Sequence, residues 1–333
     1  MIPIELVTDN SVRVKVTNDC QWTCTFCHNE GTELPTSLNA SNRASVFLDP
    51  TVNSLPMVGD LPFNNQTLGK LATLKDIGID EVHLTGGEPT IHPNLPQLIR
   101  ELALTGFTVR LTTNGQSSAQ RLNEIIETGV SSINFSVLSF DPEQFLQTQN
   151  PPSIPRLDPV TWAKRMIERE KSNIILAKSL GANVKINTAV LGPEDFPRVD
   201  TVRDFAEQNG ITLVLLNGVG EGDYSQQAVF EYTQRNATLM GARESSNNGK
   251  GSRIYALPSG NELRAKYLKD YHPEIVCGGC VHNGKPSCVE KFYGIRVEFR
   301  AGEPYVRLCL QQSNERTVMP LAEFMAKDIK SQL

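Results

Sequence analysis

The sequence predicts an α/β fold: a partial six-stranded (β/α)6 parallel barrel followed by a small cysteine-rich C-terminal extension. Strand and helix patterns alternate between residues 12 and 216, which is typical of a parallel sheet with right-handed crossovers. Each predicted helix ends at or near a glycine, where a left-handed cap would stop it. Six strands are too few for a closed eight-stranded barrel, so we expect a partial barrel or an open doubly wound sheet.

The apolar periodicity identifies each element in turn. Residues 12–17, VRVKVT, alternate apolar and polar side chains, which predicts a first strand that ends at a cysteine loop. Residues 33–66 are rich in Pro, Asn, Ser and Thr and indicate a long loop or a helix with irregular flanks, and this segment is a candidate lid. The helix and strand pairs that follow are LGKLATLKDIGI and DEVHLTGG, NLPQLIRELALTG and TVRLTTNG, SAQRLNEIIETG and SSINFSVLS, TWAKRMIEREKSNIILAKSLG and NVKINTAVL, and RVDTVRDFAEQNG and ITLVLLNG.

Three segments are expected along the chain. The barrel should occupy residues 1–220, because the alternation of strand and helix stops there. Residues 221–265 should form a linker or helical connection, since residues 240–253 are rich in Gly, Ser and Asn. Residues 266–333 should form the cysteine-rich extension, with FYGIRVEF and PYVRLCL as the strands of a hairpin.

Composition and charge exclude several classes of protein. The 333 residues are 39% hydrophobic with a net charge of −5, which excludes a globally disordered chain. No run of about 18 apolar residues occurs, so we expect no membrane-spanning helix. The N-terminus, MIPIELVTDN, does not have the pattern of a secretory signal. A pI of about 5.7 argues against nucleic acid as a partner, and we expect a cytoplasmic protein.

The seven cysteines are the informative residues, because an odd number cannot all pair into disulfides. The first cluster is Cys20, Cys24 and Cys27, three thiols within eight residues on the loop after the first strand. This spacing suits a cuboidal iron–sulfur cluster, which takes one cysteine per iron and would keep one iron open. Zinc is the alternative, but a structural zinc ion needs a fourth ligand.

The second cluster supplies four thiols, enough to saturate either an iron–sulfur cube or a zinc ion. Its spacing alone leaves both possibilities open. Its members are Cys277, Cys280, Cys288 and Cys309.

The first cluster resembles the signature of the radical S-adenosylmethionine (radical SAM) superfamily, C-x3-C-x-aromatic-C, with Phe26 at the aromatic position. A second signature, GGEP at residues 86–89, follows the next predicted strand, where glycines permit close backbone approach and a carboxylate can pair with an ammonium. The resemblance implies a [4Fe–4S] cluster on the first three cysteines, with SAM bound to its fourth iron. The residues that it places around SAM are Phe26, Gly86, Gly87, Glu88, Thr113, Ser136 and Asn187.

Longer segments over residues 13–216 resemble the GTP cyclases of molybdenum-cofactor biosynthesis and their relatives. This resemblance implies a substrate site at Arg13, His83, Thr112 and Lys185. Arg13 alternates with apolar residues and should therefore face the barrel interior, where a charge is costly unless it meets a ligand or a partner. An anionic substrate and an internal salt bridge both remain open for Arg13 and Lys185.

The second cysteine cluster resembles the auxiliary-cluster extension of these cyclases, the twitch domain, at Cys277-Gly-Gly-Cys280 and Cys309-Leu310. The resemblance implies a second [4Fe–4S] cluster. The interval is longer than in the cyclases, and Cys288 is extra. Four ligands would restrict that cluster to electron transfer or structure, whereas a free Cys288 would leave an iron open. The chain also ends in KDIKSQL in place of the cyclases' terminal Gly-Gly, and these departures argue against the cyclase itself.

The resemblance implies an enzyme that cleaves SAM reductively to a 5′-deoxyadenosyl radical and removes a hydrogen atom from a substrate. We expect a small, polar, anionic substrate, nucleotide-like or sugar-like, in natural-product biosynthesis, and an electron donor such as flavodoxin or ferredoxin. A peptide-modifying maturase is a second possibility, although the first strand begins within about a dozen residues of the start, too early for a leader-binding domain. A diverged GTP cyclase and a zinc-binding interaction protein are the remaining alternatives.

Overall fold

The computed structural model of the protein describes residues 2–22, 24–25, 27, 58–149, 158–218 and 222–333. Its helices are α1 Asn65–Ala72, α2 Leu95–Leu104, α3 Ala119–Ile126, α4 Pro142–Thr148, α5 Pro159–Ser179, α6 Phe196–Gln208, α7 Gly222–Asn236, α8 Glu274–Cys277 and α9 Leu321–Ala326. Its strands are β1 Ile4–Val7, β2 Ser11–Thr17, β3 Val58–Gly59, β4 Glu81–Gly86, β5 Thr108–Thr113, β6 Ser132–Ser136, β7 Asn183–Val190, β8 Thr212–Asn217, β9 Thr238–Ser245, β10 Lys250–Ala256, β11 Glu262–Leu268, β12 Ile295–Arg300, β13 Glu303–Arg307 and β14 Val318–Pro320.

The centre of the sheet is the predicted parallel barrel. Strands β2, β4, β5, β6, β7 and β8 pair in this order, and every pair is parallel. Helices α1, α2, α3, α5 and α6 lie in the crossovers between them, as right-handed βαβ units require. The predicted α/β fold and its six parallel strands are confirmed.

One face of each barrel strand is apolar and packs beneath the helices. In β2, for example, Val12, Val14 and Val16 are fully buried, and they belong to one core cluster with side chains of α1 to α3 and α5 to α7. The alternate residues carry polar side chains on the opposite face, because side chains of a strand alternate between its two faces. The interior of the barrel is therefore polar.

Glycine ends the barrel helices as predicted. Gly106 after α2 and Gly181 after α5 have φ angles of 90° and 83°, which a residue with a Cβ adopts only under strain. The chain can therefore reverse direction immediately and enter the next strand.

The linker predicted within residues 221–265 is wrong in its second half. Strands β9 and β10 form an antiparallel pair there, β10 pairs with β11, and β11 extends the barrel sheet beside β8 in a parallel pairing. The Ser- and Asn-rich composition belongs to the tight connection at residues 246–249 between β9 and β10. Strand β1, which no sequence pattern indicated, pairs in parallel with β9 at the edge of the sheet.

On its other side the barrel sheet continues through β12, which pairs in parallel with β2. Strands β12 and β13 form the predicted hairpin, and β14 adds a third antiparallel strand. The sheet thus has 14 strands in the order β1-β9-β10-β11-β8-β7-β6-β5-β4-β2-β12-β13-β14, with β3 beside β12. Helices long and apolar enough to cross a membrane are absent from the described ranges.

The hairpin encloses a buried group of charges. The Glu298 carboxylate bonds the guanidinium groups of Arg300 at 2.7 Å and Arg307 at 2.8 Å. Burial alone raises the pKa of Glu298, but the two guanidinium groups outweigh it and hold that pKa below its ordinary value. The carboxylate therefore stabilises the folded state above its unfolded-state pKa, and this contribution is lost as the pH falls through the lowered folded-state pKa.

Glu298→Ala is expected to lower the free energy of unfolding by about 3–5 kcal/mol, because it removes the buried carboxylate that pairs with the guanidinium groups of Arg300 and Arg307. Glu303→Ala is the matched control on the same hairpin: its exposed carboxylate pairs with Lys70, and its loss should change stability by about 0–1 kcal/mol. Urea unfolding at neutral pH measures both variants. Equal destabilisation by the two changes would contradict the structural role of Glu298.

Candidate active site

The first cysteine cluster lies at the carboxyl end of β2, where its sulfurs meet N–H donors. The Trp22 backbone N–H donates to Cys20 Sγ at 3.4 Å, and the Asn114 side-chain amide donates to the same sulfur at 3.8 Å. The Gln149 side-chain amide donates to Cys24 Sγ at 2.8 Å. Donors of this kind favour thiolate sulfurs and tune the potential of a cluster that the thiolates hold.

Aromatic packing anchors this loop on α4 and α5. The rings of Trp22 and Phe145 meet edge to face at 5.5 Å, and Phe145 meets Trp162 at 5.7 Å. Cys20 and Cys24 pack against the same apolar cluster. The loop therefore packs on an apolar surface, and this packing holds its cysteines in place.

Burial and neighbouring groups raise the pKa of two thiols of the first cluster. Burial, Glu88 and Cys27 together raise the pKa of Cys20 to about 12. Burial, Cys27 and Cys20 also raise the pKa of Cys24. Neutral thiols are the stable form without a metal, and a bound cation would reverse this order by stabilising the thiolates.

The predicted glycine turn at the end of β4 holds the base of the cysteine loop. Gly87 N–H donates to the Thr17 carbonyl at 2.8 Å, and Glu88 N–H donates to the Asp19 carbonyl at 2.7 Å. A Cβ on Gly86 or Gly87 would collide with backbone atoms of Thr17 or Asp19. The two glycines are therefore required by the close approach of two backbones.

Glu88 ties this turn to the end of β5. One carboxylate oxygen accepts hydrogen bonds from the Thr90 N–H at 3.0 Å, the Thr90 hydroxyl at 2.6 Å and the Thr113 hydroxyl at 2.8 Å. The other accepts the Asn114 N–H at 2.6 Å, and the side chain is only 1% exposed. Glu88 therefore positions Asn114, which donates to Cys20. Its pairing with the SAM ammonium stays a prediction.

The other residues predicted around SAM lie along the same edge. Ser136 and Asn187 are neighbours in the register of β6 and β7, and both are half-buried. Thr113 is buried, and its hydroxyl is bonded to Glu88 and accepts the Gly115 N–H at 3.1 Å. Phe26 lies outside the described residues, as do residues 33–57 of the predicted lid loop.

The four predicted substrate residues come together on the interior face of the barrel. Arg13 of β2 is the register neighbour of His83 of β4, and His83 Nε2 bonds the Thr112 hydroxyl of β5 at 2.7 Å. Thr112 is the register neighbour of Asn134 in β6, which in turn neighbours Lys185 of β7. A single band of side chains on five strands thus faces the interior.

Further cations that the sequence reasoning did not identify join this band, and each has an acidic partner. They come from β5, β10, β11 and β12, so only the pairing of distant strands brings them together. Their ion pairs are Arg110–Glu81 at 2.6 Å, Arg264–Glu262 at 2.6 Å, Lys250–Asp9 at 2.5 Å and Arg296–Glu290 at 2.7 Å.

Lys185 and Lys266 differ from these cations, since neither ammonium makes an ion pair within the described ranges. Burial, together with Arg264 and Arg110, lowers the pKa of Lys185 to about 8, although Glu262 acts in the opposite direction. Burial also lowers the pKa of Lys266; Tyr293 opposes this effect, and the cations Lys250 and Arg264 reinforce it. Interior ammonium groups without an ion pair are costly, and an anionic ligand would reduce that cost.

The second cysteine cluster lines one cavity of about 340 Å³ beside α8 and β13. Burial raises the pKa of Cys277 to about 11, with increases from Cys288 and Cys280. Burial also raises the pKa of Cys309 to about 12, with an increase from Glu290, which lines the cavity as well. All four thiols, including the extra Cys288, therefore surround the same space.

In the described part of the chain, no three His, Cys, Asp or Glu side chains are gathered around one ion position. A tetrahedral zinc site gathers its sulfurs at about 2.3 Å from one ion, whereas a cube distributes its cysteines over separate irons. Four thiols around one cavity supply enough sulfur ligands for either an iron–sulfur cube or a zinc ion. The three thiols of the first cluster, with their N–H donors, have the donor set of a cube with one open iron.

Comparison with known proteins identifies a match to the Radical SAM superfamily over residues 14–206, more than half of the chain. A probable GTP 3′,8-cyclase of Metallosphaera sedula is 27% identical over 276 residues, covering 81% of this chain and 75% of the relative. A GTP 3′,8-cyclase of Chlorobaculum tepidum is 30% identical over 208 residues, covering 62% of this chain and 52% of the relative.

Among solved structures, Streptococcus suis SuiB bound to its precursor peptide SuiA is 14% identical, with a TM-score of 0.47. The match covers 68% of this chain and 47% of SuiB. Methylornithine synthase is 14% identical, with a TM-score of 0.44, and the match covers 65% of this chain and 54% of the synthase.

Gly87→Ala is expected to displace the cysteine loop, because the added Cβ meets the Asp19 backbone, which cannot move independently of β2. Iron bound per chain after anaerobic reconstitution should fall, because the displaced loop carries the thiols of the first cluster. Gly69→Ala is the matched control, because a Cβ in α1 meets no atom within 4 Å. It should keep the full iron content and gain up to about 1 kcal/mol of stability. Full iron content in Gly87→Ala would contradict the role of the turn.

Proposed function

Because the chain belongs to the radical SAM superfamily, we propose that this radical SAM enzyme acts on a small, polar, anionic substrate held in the barrel interior. The observation that carries the proposal is the pair of interior ammonium groups, Lys185 and Lys266, which make no ion pair in the described ranges. They lie on the polar face of the same strands whose carboxyl ends carry the cysteine loop and the glycine turn.

Cys20, Cys24 and Cys27 would hold a [4Fe–4S] cluster. When bound, this cluster supplies the electron that cleaves SAM to methionine and a 5′-deoxyadenosyl radical, which removes a hydrogen atom from the substrate. The residues of the chain position the reactants: the glycine turn and Glu88 fix the cysteine loop, and Ser136 and Asn187 offer polar groups along the SAM edge. We infer that flavodoxin or ferredoxin donates the electron and that the protein is cytoplasmic.

The substrate would lie deeper in the barrel, against the band of cations. Lys185 and Lys266 would bind its anionic group, and Arg13 would contribute a third positive charge. His83 and Thr112, which are hydrogen-bonded to each other, offer a polar surface for a sugar-like or nucleotide-like part. This arrangement confines the radical to a region of the substrate fixed by charge.

The second cysteine cluster would hold a [4Fe–4S] cluster on four cysteines. Four protein ligands would close it to substrate, which suits a role as electron acceptor in a net oxidation or as a structural element. The cavity lined by all four thiols supports this ligand set. Natural-product biosynthesis is the kind of pathway that we infer for such an oxidation.

GTP cyclisation is the second candidate, and the two cyclases at 27% and 30% identity favour it. The fourth cysteine of the second cluster is the observation against it, because a closed cluster has no iron open to a nucleotide. Anaerobic incubation with GTP and SAM distinguishes the candidates. The leading proposal predicts no GTP-dependent release of 5′-deoxyadenosine above background, whereas stoichiometric release with loss of GTP establishes the cyclase.

Cys24→Ala is expected to abolish SAM cleavage, because it removes one of only three ligands of the first cluster. Cys280→Ala is the matched control: it should lose about half of the iron and keep reductive formation of 5′-deoxyadenosine. The measurement is 5′-deoxyadenosine by chromatography after anaerobic reduction. Retained cleavage in Cys24→Ala would contradict the assignment of the first cluster. Loss of zinc without loss of iron in Cys280→Ala would assign zinc to the second cluster.

Lys185→Met is expected to abolish the thermal stabilisation that pyrophosphate gives the protein, because the anion loses an interior ammonium. The pKa of about 8 predicts that stabilisation of the wild-type protein by pyrophosphate weakens as the pH rises above that value. Lys164→Met is the matched control, since Lys164 is exposed on α5. Thermal unfolding with and without pyrophosphate measures all three proteins. Unchanged stabilisation in Lys185→Met would contradict the anion site.

A further inference from the structure

The side chains of strand β10 point alternately to the helices and to the barrel interior. Tyr255 belongs to the main core cluster, and the guanidinium carbon of Arg253 lies 3.9 Å from the ring centroid of Phe230 on α7. Because the side chains of a strand alternate between its two faces, Ser252 projects to the opposite face. A strand that lies outside the predicted barrel therefore supplies a hydroxyl to the barrel interior.

The Ser252 hydroxyl is buried without a partner. The residue is 4% exposed, and its Oγ makes no hydrogen bond within the described ranges. Buried hydroxyls are nearly always hydrogen-bonded, because removing a hydroxyl from water without a replacement bond costs free energy. The Ser252 hydroxyl therefore has a donor to offer that the described part of the chain does not use.

Lys266 is the cross-strand neighbour of this hydroxyl. Ser252 and Lys266 are register partners in the antiparallel pair of β10 and β11. Directly opposed residues of such a pair project from the same face, with Cβ atoms about 4.5–5.5 Å apart. Lys266 makes no ion pair within the described ranges. An ammonium without an ion pair and a hydroxyl without a hydrogen bond thus lie side by side.

The other two cations that flank this hydroxyl are paired with carboxylates. Lys250 lies two residues earlier on the same face of β10 and pairs with Asp9 at 2.5 Å. Arg243 is the register partner on β9 and pairs with Glu5 at 2.9 Å. Lys266 is therefore the flanking cation whose charge remains for a ligand.

Two more hydroxyls on the interior face are buried without a partner, Thr85 of β4 and Ser132 of β6. The register neighbour of Ser132 on β5 is Arg110, whose guanidinium pairs with Glu81 at 2.6 Å. Ser132 therefore lies beside a paired cation, whereas Ser252 lies beside an ammonium without an ion pair. This difference makes Ser132 a matched comparison for Ser252.

The donors beside Ser252 suit a phosphoryl group better than a carboxylate. A planar carboxylate is matched by the parallel N–H groups of a guanidinium, and the neighbouring Arg243 and Arg264 are held by Glu5 and Glu262. An ammonium and a hydroxyl donate singly, and a tetrahedral phosphoryl group offers them separate oxygens.

We propose that Ser252 and Lys266 form a phosphoryl subsite of the substrate pocket, in which Ser252 is a specificity-determining residue. The identity of the pocket rests on the function proposed above. The Ser252 hydroxyl donates to one terminal oxygen, and the Lys266 ammonium donates to another. The substrate class is therefore a small phosphate ester, such as a sugar phosphate or a nucleotide, and the subsite binds it without forming or breaking a covalent bond.

Thermal unfolding of the anaerobically reconstituted protein in increasing inorganic phosphate tests the proposal without turnover. Ser252→Ala should weaken the apparent affinity for phosphate by about tenfold or more, because a hydrogen bond to a charged ligand is lost. Without phosphate the variant should be at least as stable as the wild-type protein, since a hydroxyl buried without a partner is removed.

Ser132→Ala is the matched control, because its hydroxyl is equally buried and has no partner in the described ranges. It should bind phosphate as the wild-type protein does. Equal affinities in Ser252→Ala and the wild-type protein, or an equal loss in Ser252→Ala and Ser132→Ala, overturn the proposal.

Acetate at the same ionic strength separates a phosphoryl site from a carboxylate site. It should stabilise the wild-type protein less than phosphate does, and to the same extent in Ser252→Ala. Stabilisation by acetate that matches phosphate and depends on Ser252 overturns the phosphoryl assignment.

Lys185→Met separates this inference from the proposed function. Phosphate binding that is lost in Lys185→Met but retained in Ser252→Ala overturns the subsite and leaves the proposed anion site standing. A wild-type protein that neither phosphate nor pyrophosphate stabilises overturns both.

Discussion

The approach of the β4 glycine turn to the end of β2 is the contact on which the rest of the site depends. The Gly87 N–H donates to the carbonyl of Thr17, which precedes the cysteine loop, and the Glu88 N–H donates to the carbonyl of Asp19, where the loop begins. Because no Cβ fits between the two backbones, the loop cannot shift without separating strands of the central sheet. The Glu88 carboxylate also accepts the Asn114 N–H, and the Asn114 side-chain amide donates to Cys20 Sγ, so the turn helps to position Cys20. The position of the thiols is thus set by the sheet itself.

The second constraint is the charge of the barrel interior. Four of its cations are matched by carboxylates, and Lys185 and Lys266 are left without such partners in the described ranges. Burial lowers the pKa of both lysines, and a bound anion would raise the pKa of each again. The positive charge of the interior is therefore the feature that a bound anion would complement.

Much of this could be predicted from local sequence, and the reason is periodicity. The alternation in β2 placed Arg13 in the interior, and glycines marked the ends of the helices, as Gly106 shows. The linker prediction failed because the Ser and Asn residues of a tight turn were given more weight than the alternating side-chain pattern of β9 and β10 on either side of it. Strand β11, ELRAKYL, has the same alternation as β2 and would have revealed Lys266.

The cations around the ring of Tyr293 could not have been found in this way. Arg13, Lys250 and Arg296 lie on β2, β10 and β12, which are far apart in sequence and meet only through long-range strand pairing. Likewise, the spacing of the second cysteine cluster did not decide whether Cys288 faces the other three thiols. The fold places all four around one cavity, because the hairpin of β12 and β13 returns Cys309 to the segment that carries Cys288.

The most direct measurement is Mössbauer spectroscopy of the iron-57 protein, recorded before and after addition of SAM. We predict two cube-type clusters, of which one changes on SAM addition, with one iron site becoming distinct, while the other is unaffected because its four cysteines leave no iron open. Two outcomes would contradict this division of the seven cysteines into three and four. One is two clusters whose spectra do not change on SAM addition; the other is an iron cluster at the first site with zinc at the second.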